Sequence, residues 1–119
     1  MGLTIRIAPL ANVHVVSCSG RIVFGEETTD LCRSVRDLLP QGPRIVLDLR
    51  AVDYMDSGGL GALVGLVLSA RRAGGDLKLC GVTGRVGDVL RVTRLASVIH
   101  VLPGEEDAVA AFGPEPVAA

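Results

Sequence analysis

One stretch constrains this chain more than any other: Asp53-Tyr54-Met55-Asp56-Ser57-Gly58-Gly59-Leu60-Gly61, after which no charge appears until Arg71. A Ser or Asp ahead of an apolar-periodic run marks a helix start, because its side-chain oxygen accepts from orphan N–H groups of the first turn. Asp56 and Ser57 are therefore the candidate caps. Leu60, Leu63, Val64, Val67 and Ala70 recur at i, i+3, i+4, i+7 and predict one buried stripe on a helix from about Gly58 to Ala73. The opposite side, read as Gly58, Ala62, Gly65, Leu66 and Ser69, is uncharged where a surface helix ordinarily carries charge. Either another molecule or the rest of the fold covers it. No membrane span is expected, since the run falls short of roughly 20 apolar residues.

The elements on either side set the fold class. Leu3 to Ile7 and Val13 to Ser19 are short β-rich runs placed to pair antiparallel. Leu31, Val35, Leu38 and Leu39 share a helical face, with Thr28 as the expected cap and Pro40 and Gly42 as the stop. Ile45-Val46-Leu47-Asp48-Leu49 reads as a strand buried in a parallel sheet and leads into the Asp53–Gly61 loop. Gly74-Gly75 ends the second helix and Leu77 to Val82 is the next strand. A third helix is capped by Thr83, a strand covers Val98 to Leu102, and Glu105-Glu106-Asp107 open a last helix ending near Phe112. The order predicts a single α/β domain over 1–112, a mixed, mostly parallel sheet of about five strands with about four helices, and a flexible tail over 113–119.

Composition removes several classes of function. A formal charge of −1 gives no electrostatic footprint for nucleic acid, and 3% aromatic residues leave little for base stacking. Cys18, Cys32 and Cys80 sit in apolar stretches and read as reduced thiols of a cytoplasmic protein, with no His at metal-ligand spacing. No signal-peptide pattern is expected at the N-terminus.

Catalytic motifs fare no better. A P-loop needs a Lys after its second Gly, and a dinucleotide fingerprint needs Gly where Val64 stands. A nucleophile elbow on Ser57 lacks the first Gly, Met55 standing there; a small serine hydrolase using Ser57, with His100 as base and Asp88 as its partner, is the alternative from the enzyme class. A receiver domain phosphorylated on Asp48 lacks its acidic pair, and Asp48, Asp53 and Asp56 match no calcium loop. No cofactor and no metal are expected. Ser57 as acceptor of a phosphate from an outside kinase is physically favourable, because a helix N-terminus offers N–H donors and positive potential to the added charge.

Ile45 to Leu49, Tyr54 to Gly61 and Gly74-Gly75-Asp76-Leu77-Lys78-Leu79 together resemble the STAS domain of bacterial anti-sigma factor antagonists, and the similarity runs from Gly20-Arg21-Ile22 to Phe112. The resemblance implies a non-enzymatic partner switch. Such a protein binds an anti-sigma factor, often itself a serine kinase, and frees the sigma factor; phosphorylation abolishes binding and a serine phosphatase restores it. By position Ser57 is the phosphoacceptor, and Asp56, Gly58, Gly59 and Gly61 are its surroundings, with Ala62, Gly65 and Leu66 continuing the partner-facing side. Two departures stand out. Gly58 replaces the second hydroxyl that family members commonly carry, and Val23 stands where many have Asp. An unphosphorylated scaffold subunit is the alternative implied by those departures, and a homodimer is left open.

Overall fold

The computed structural model describes residues 2–114. β1 (Leu3–Leu10) and β2 (Val13–Ile22) form an antiparallel hairpin; α1 (Glu26–Leu38), β3 (Arg44–Met55), α2 (Ser57–Arg72), β4 (Asp76–Cys80), α3 (Gly84–Val92), β5 (His100–Leu102) and α4 (Glu105–Ala110) follow. A single 3-10 turn, Leu95–Ser97, precedes β5. The strands lie in chain order, β1-β2-β3-β4-β5, and β2 through β5 are parallel. The α/β class with a mixed five-stranded sheet and four helices agrees with the sequence reading.

Period-two alternation divides β3 between two layers. Ile45, Leu47 and Leu49 point into the main core with Leu31 and Val35 of α1, Leu63, Leu66 and Val67 of α2, and Leu90 of α3. Val46 points the other way, where Val13, Val15 and Cys80 meet Ala108 of α4, with Val109 and Phe112 alongside. Burying each large aliphatic side chain contributes roughly 1.5–3 kcal/mol, so the three-helix face carries most of the stabilisation. Because strand order never reverses, three crossovers of the same hand place α1, α2 and α3 on one face. The crevice that a reversal opens for dinucleotides is absent from such a sheet.

Several strand boundaries differ from expectation, each set by the neighbouring structure. β2 continues past Gly20 to Ile22, with register shifts at Ser17/Ser19 and Gly20/Arg21, and so offers β3 a partner as far as Met55. Asp53-Tyr54-Met55, read as loop, is strand. At the other end of the chain, β5 begins at His100 rather than Val98 because the 3-10 turn consumes the preceding residues. The guanidinium of Arg44 donates to the carbonyls of Gly113 and Pro114, both at 3.3 Å. The remainder of the expected tail, 115–119, lies outside the described residues.

Candidate functional site

Ser57 is the first residue of α2, exposed at the carboxyl end of β3. Asp56 is the N-cap: its Oδ1 accepts from Gly59 N at 2.8 Å, and its two oxygens also accept from Phe24 N at 3.1 Å each. One carboxylate thereby ties the start of α2 to the turn between β2 and α1. Ser57 Oγ makes no hydrogen bond among the described residues, which leaves it open to an external reagent. Ser57 also stands on the wall of a groove of about 370 Å³ between α2 and α3, lined by Met55, Leu60, Asp88, Val89, Val92 and Thr93. Asp88 there is paired with Arg91.

The two glycines after Ser57 are required by packing. A Cβ on Gly59 would run into the carbonyl of Ile22, and one on Gly58 would lie 3.1 Å from Phe24 Cα and closer still to its Cβ. The start of α2 can press against β2 only where side chains are missing. Gly61 and Gly65 differ, since a Cβ on either would meet nothing within 4 Å. Glycine inside a helix costs about 0.5–1 kcal/mol relative to alanine, and nothing in this chain's own packing explains that cost at these two positions.

The uncharged side of α2 is turned relative to the sequence reading. Leu66 is 0% exposed and Gly59 is buried, so neither presents a surface to a partner. Leu66 belongs to the core with Leu60, Leu63, Val67 and Ala70, while Val64 is only half-buried and Leu68 is 44% exposed. α1 lies beside α2, and Leu66 shares the core with Leu31, Val35 and Leu38 of that helix and with the sheet. Gly58 and Ala62 line the cleft between these two helices. The accessible neutral strip therefore runs through Ser57, Gly61 and Leu68, with Gly65 half-buried between them and Asp56, Gly58 and Ala62 half-buried along one side.

The carboxylates near β3 are dispersed. Asp48 is 7% exposed in mid-strand, where its Oδ1 accepts from Arg50 N at 2.9 Å and its Oδ2 lies 3.6 Å from the Arg50 guanidinium. Glu105 donates to Asp48; that bond, then partial burial and the Asp48 charge, push the Glu105 carboxyl above the ordinary carboxylate range, against the opposing pull of Arg50. Burial first, and the Asp48 charge second, push the thiols of Cys18 and Cys80 up to about 12. Asp53 stands apart with Arg21, Tyr54 and Arg85 around an open polar cleft. Among the described residues no three His, Cys, Asp or Glu side chains gather in a geometry that could hold a metal ion.

The hydrolase constellation fails on distance. His100 is level with Lys78, which is level with Val46, whereas Ser57 follows Met55, nine positions further along β3. At about 3.3 Å per residue the separation is roughly 30 Å, far beyond proton-transfer reach. His100 Nδ1 instead lies 2.9 Å from Lys78 Nζ, and Asp88 is engaged by Arg91. The residue that sequence reasoning missed is Phe24, 81% exposed and held at its N–H by Asp56. Its one signal in the sequence is an aromatic side chain between a strand end and a helix start, where a turn would favour polar residues.

An exposed serine at the start of a helix capped by Asp56 stands on a one-domain α/β scaffold with a mixed five-stranded sheet, a scaffold that known proteins share. The chain belongs to the STAS domain family, whose model matches residues 5–108. It is 37% identical over 62 residues to an anti-sigma-B factor antagonist of Staphylococcus aureus, a match covering 52% of this chain and 57% of that relative. The match thus spans little more than half of that protein's length. An anti-sigma F factor antagonist of Paenibacillus polymyxa is 29% identical over 111 residues, covering 91% of this chain and 93% of the relative. In fold, the chain superimposes on the crystal structure of an anti-sigma factor antagonist from Mycobacterium paratuberculosis with a TM-score of 0.81 at 24% identity, covering 93% and 94% of the two chains. Among the described residues no helix is long and apolar enough to cross a membrane.

Proposed function

We propose that this chain is an anti-sigma factor antagonist that binds an anti-sigma factor with serine kinase activity and so releases a sigma factor, and that phosphorylation of Ser57 switches the binding off until a serine phosphatase restores it. The reading places it in the cytoplasm. Relatives bearing the antagonist name support the partner class. The observation that carries the switch is the exposed Ser57 hydroxyl at the first position of a helix capped by Asp56. A phosphate adds roughly 1.5–2 negative charges, which the free N–H groups and positive end of the helix accommodate. The fold survives modification.

Binding does not survive it. The neutral strip through Gly61, Gly65 and Leu68 starts at Ser57, and two helix glycines without a packing role let a partner's backbone approach closely there. A dianion at the rim of that contact must be desolvated beside Asp56 and Asp88, and like-charge juxtaposition across an interface costs several kcal/mol. Ser57→Asp is expected to weaken binding to the anti-sigma factor by roughly a hundredfold or more, at 1.4 kcal/mol per tenfold, while circular dichroism stays native. Ser57→Ala binds and resists the kinase. Incubation with kinase and ATP followed by mass spectrometry is expected to find the phosphate on Ser57. No phosphate on Ser57, with equal affinity of the wild type and Ser57→Asp, leaves an unphosphorylated scaffold in place of the switch.

A further inference from the structure

We infer that the cleft between α1 and α2 receives an acidic segment of the anti-sigma factor, with the Phe24 ring as the aromatic anchor beside Ser57; this rests on the antagonist reading and specifies which surface the partner grips and with what chemistry.

The cleft, about 510 Å³, is lined by Phe24, Thr28, Thr29, Cys32, Arg33, Arg36, Gly58 and Ala62. Its floor is made of small side chains, Gly58 and Ala62 of α2 facing Thr28 and Cys32 of α1. Its rim is cationic: Arg33 and Arg36 stand one turn apart on α1, and no carboxylate lines the cleft. Arg36 makes no ion pair among the described residues, and Arg33 meets only Asp30, at 3.7 Å in full solvent. On a chain of formal charge −1, the unpaired guanidinium of Arg36 beside the weakly paired Arg33, over a neutral floor, favours a carboxylate-bearing occupant. Phe24 supplies what charge does not. At 81% exposure its ring stands in water at the Ser57 end of the cleft, with little side-chain entropy to lose, and buried aromatic anchors flanked by arginine dominate binding energy at interfaces.

Anchor and switch share one carboxylate. Asp56 accepts from Phe24 N with both oxygens and from Gly59 N with Oδ1, so a partner that grips Phe24 lies against Ser57. The missing side chain at Gly58 is part of the same construction, since any Cβ there would displace Phe24.

Cys32 makes the cleft readable in the unmodified chain. It is half-buried on the cleft floor, whereas Cys18 and Cys80 are 2% and 0% exposed and silent toward a thiol reagent. The experiment measures iodoacetamide labelling of Cys32 and the affinity for the purified cognate anti-sigma factor, over a range of salt. The expected result is at least tenfold slower labelling of Cys32 in the complex and at least tenfold weaker binding of Phe24→Ala. Arg33→Glu with Arg36→Glu is expected to lower the association rate about tenfold at low salt and to flatten its salt dependence, while Arg6→Glu, on β1 and on the opposite sheet face, binds as wild type. All four substitutions alter exposed side chains, so folding is retained and is checked by circular dichroism. Wild-type binding with Cys32 unprotected and all variants within twofold overturns the cleft and leaves the antagonist reading intact. Protection of Cys32 that grows with the chain's own concentration, without partner, assigns the cleft to a second copy and overturns the acidic occupant. Failure of the wild type to bind the anti-sigma factor overturns the antagonist reading and the cleft together.

Discussion

Asp56→Ala tests how the signalling serine is held. In the folded chain the carboxylate accepts from Gly59 N at 2.8 Å and from Phe24 N at 3.1 Å. Gly59 is buried, so its N–H is left without a water replacement; losing an Asp cap costs about 0.5–2 kcal/mol, and a buried donor left unpaired costs about 1–3 kcal/mol. These describe one lost bond from two sides and are not summed. The Phe24 N–H is exposed, and water recovers most of that bond, leaving less than about 1 kcal/mol. The expected loss is about 2–3 kcal/mol, which for a domain of this size lowers Tm by roughly 6–15 °C. Asp56→Asn keeps an acceptor oxygen for Gly59 and is expected to lose less than about 1 kcal/mol, because Asn caps about as well as Asp. Urea unfolding followed by circular dichroism measures both, and an unchanged m-value shows that the native and unfolded states are otherwise alike. Asp56→Ala within 0.5 kcal/mol of wild type, or Asn as damaging as Ala, refutes the reasoning.

Gly58→Ser, which restores the second hydroxyl usual in the family, brings a Cβ to 3.1 Å from Phe24 Cα and is expected to cost about 1–3 kcal/mol and to shift the Phe24 ring signals in an NMR spectrum. Gly65→Ala meets open space and is expected to raise stability by about 0.5–1 kcal/mol in the same unfolding assay while weakening partner binding; tighter binding speaks against close approach along that strip. Glu105 keeps a proton in the folded chain that the unfolded chain releases near 4.5, so its contribution is present below that pH and is lost as pH rises through the higher folded value. Over that window wild-type stability is expected to fall relative to Glu105→Gln, whose amide donates at every pH; parallel stability curves for the two proteins remove Asp48 and Glu105 as a proton-sharing pair.

How much was legible in advance depends on the range of the interaction. The caps and stops of α2 were, because Asp56 bonds three residues ahead and Gly74, at φ +95°, adopts the left-handed turn beyond the helix end. Thr28 was half legible: Gly25 is the N-cap, and Thr28 acts from three positions on, its Oγ1 accepting from Gly25 N at 3.1 Å. The length of β3 was not, since it is fixed by the extent of β2 on the neighbouring strand.

Local chemistry in the sequence determined the order of the elements, the start of α2 and the placement of a lone hydroxyl at that start, because capping and hydrophobic periodicity act within one or two turns of chain. Which side of α2 meets solvent, the burial of Leu66, the separation of Ser57 from His100 and the grip of Asp56 on Phe24 were decided only when α1 docked beside α2 and β2 ran alongside β3. Those contacts join residues tens of positions apart, and no spacing along a single element encodes which neighbour will close over it.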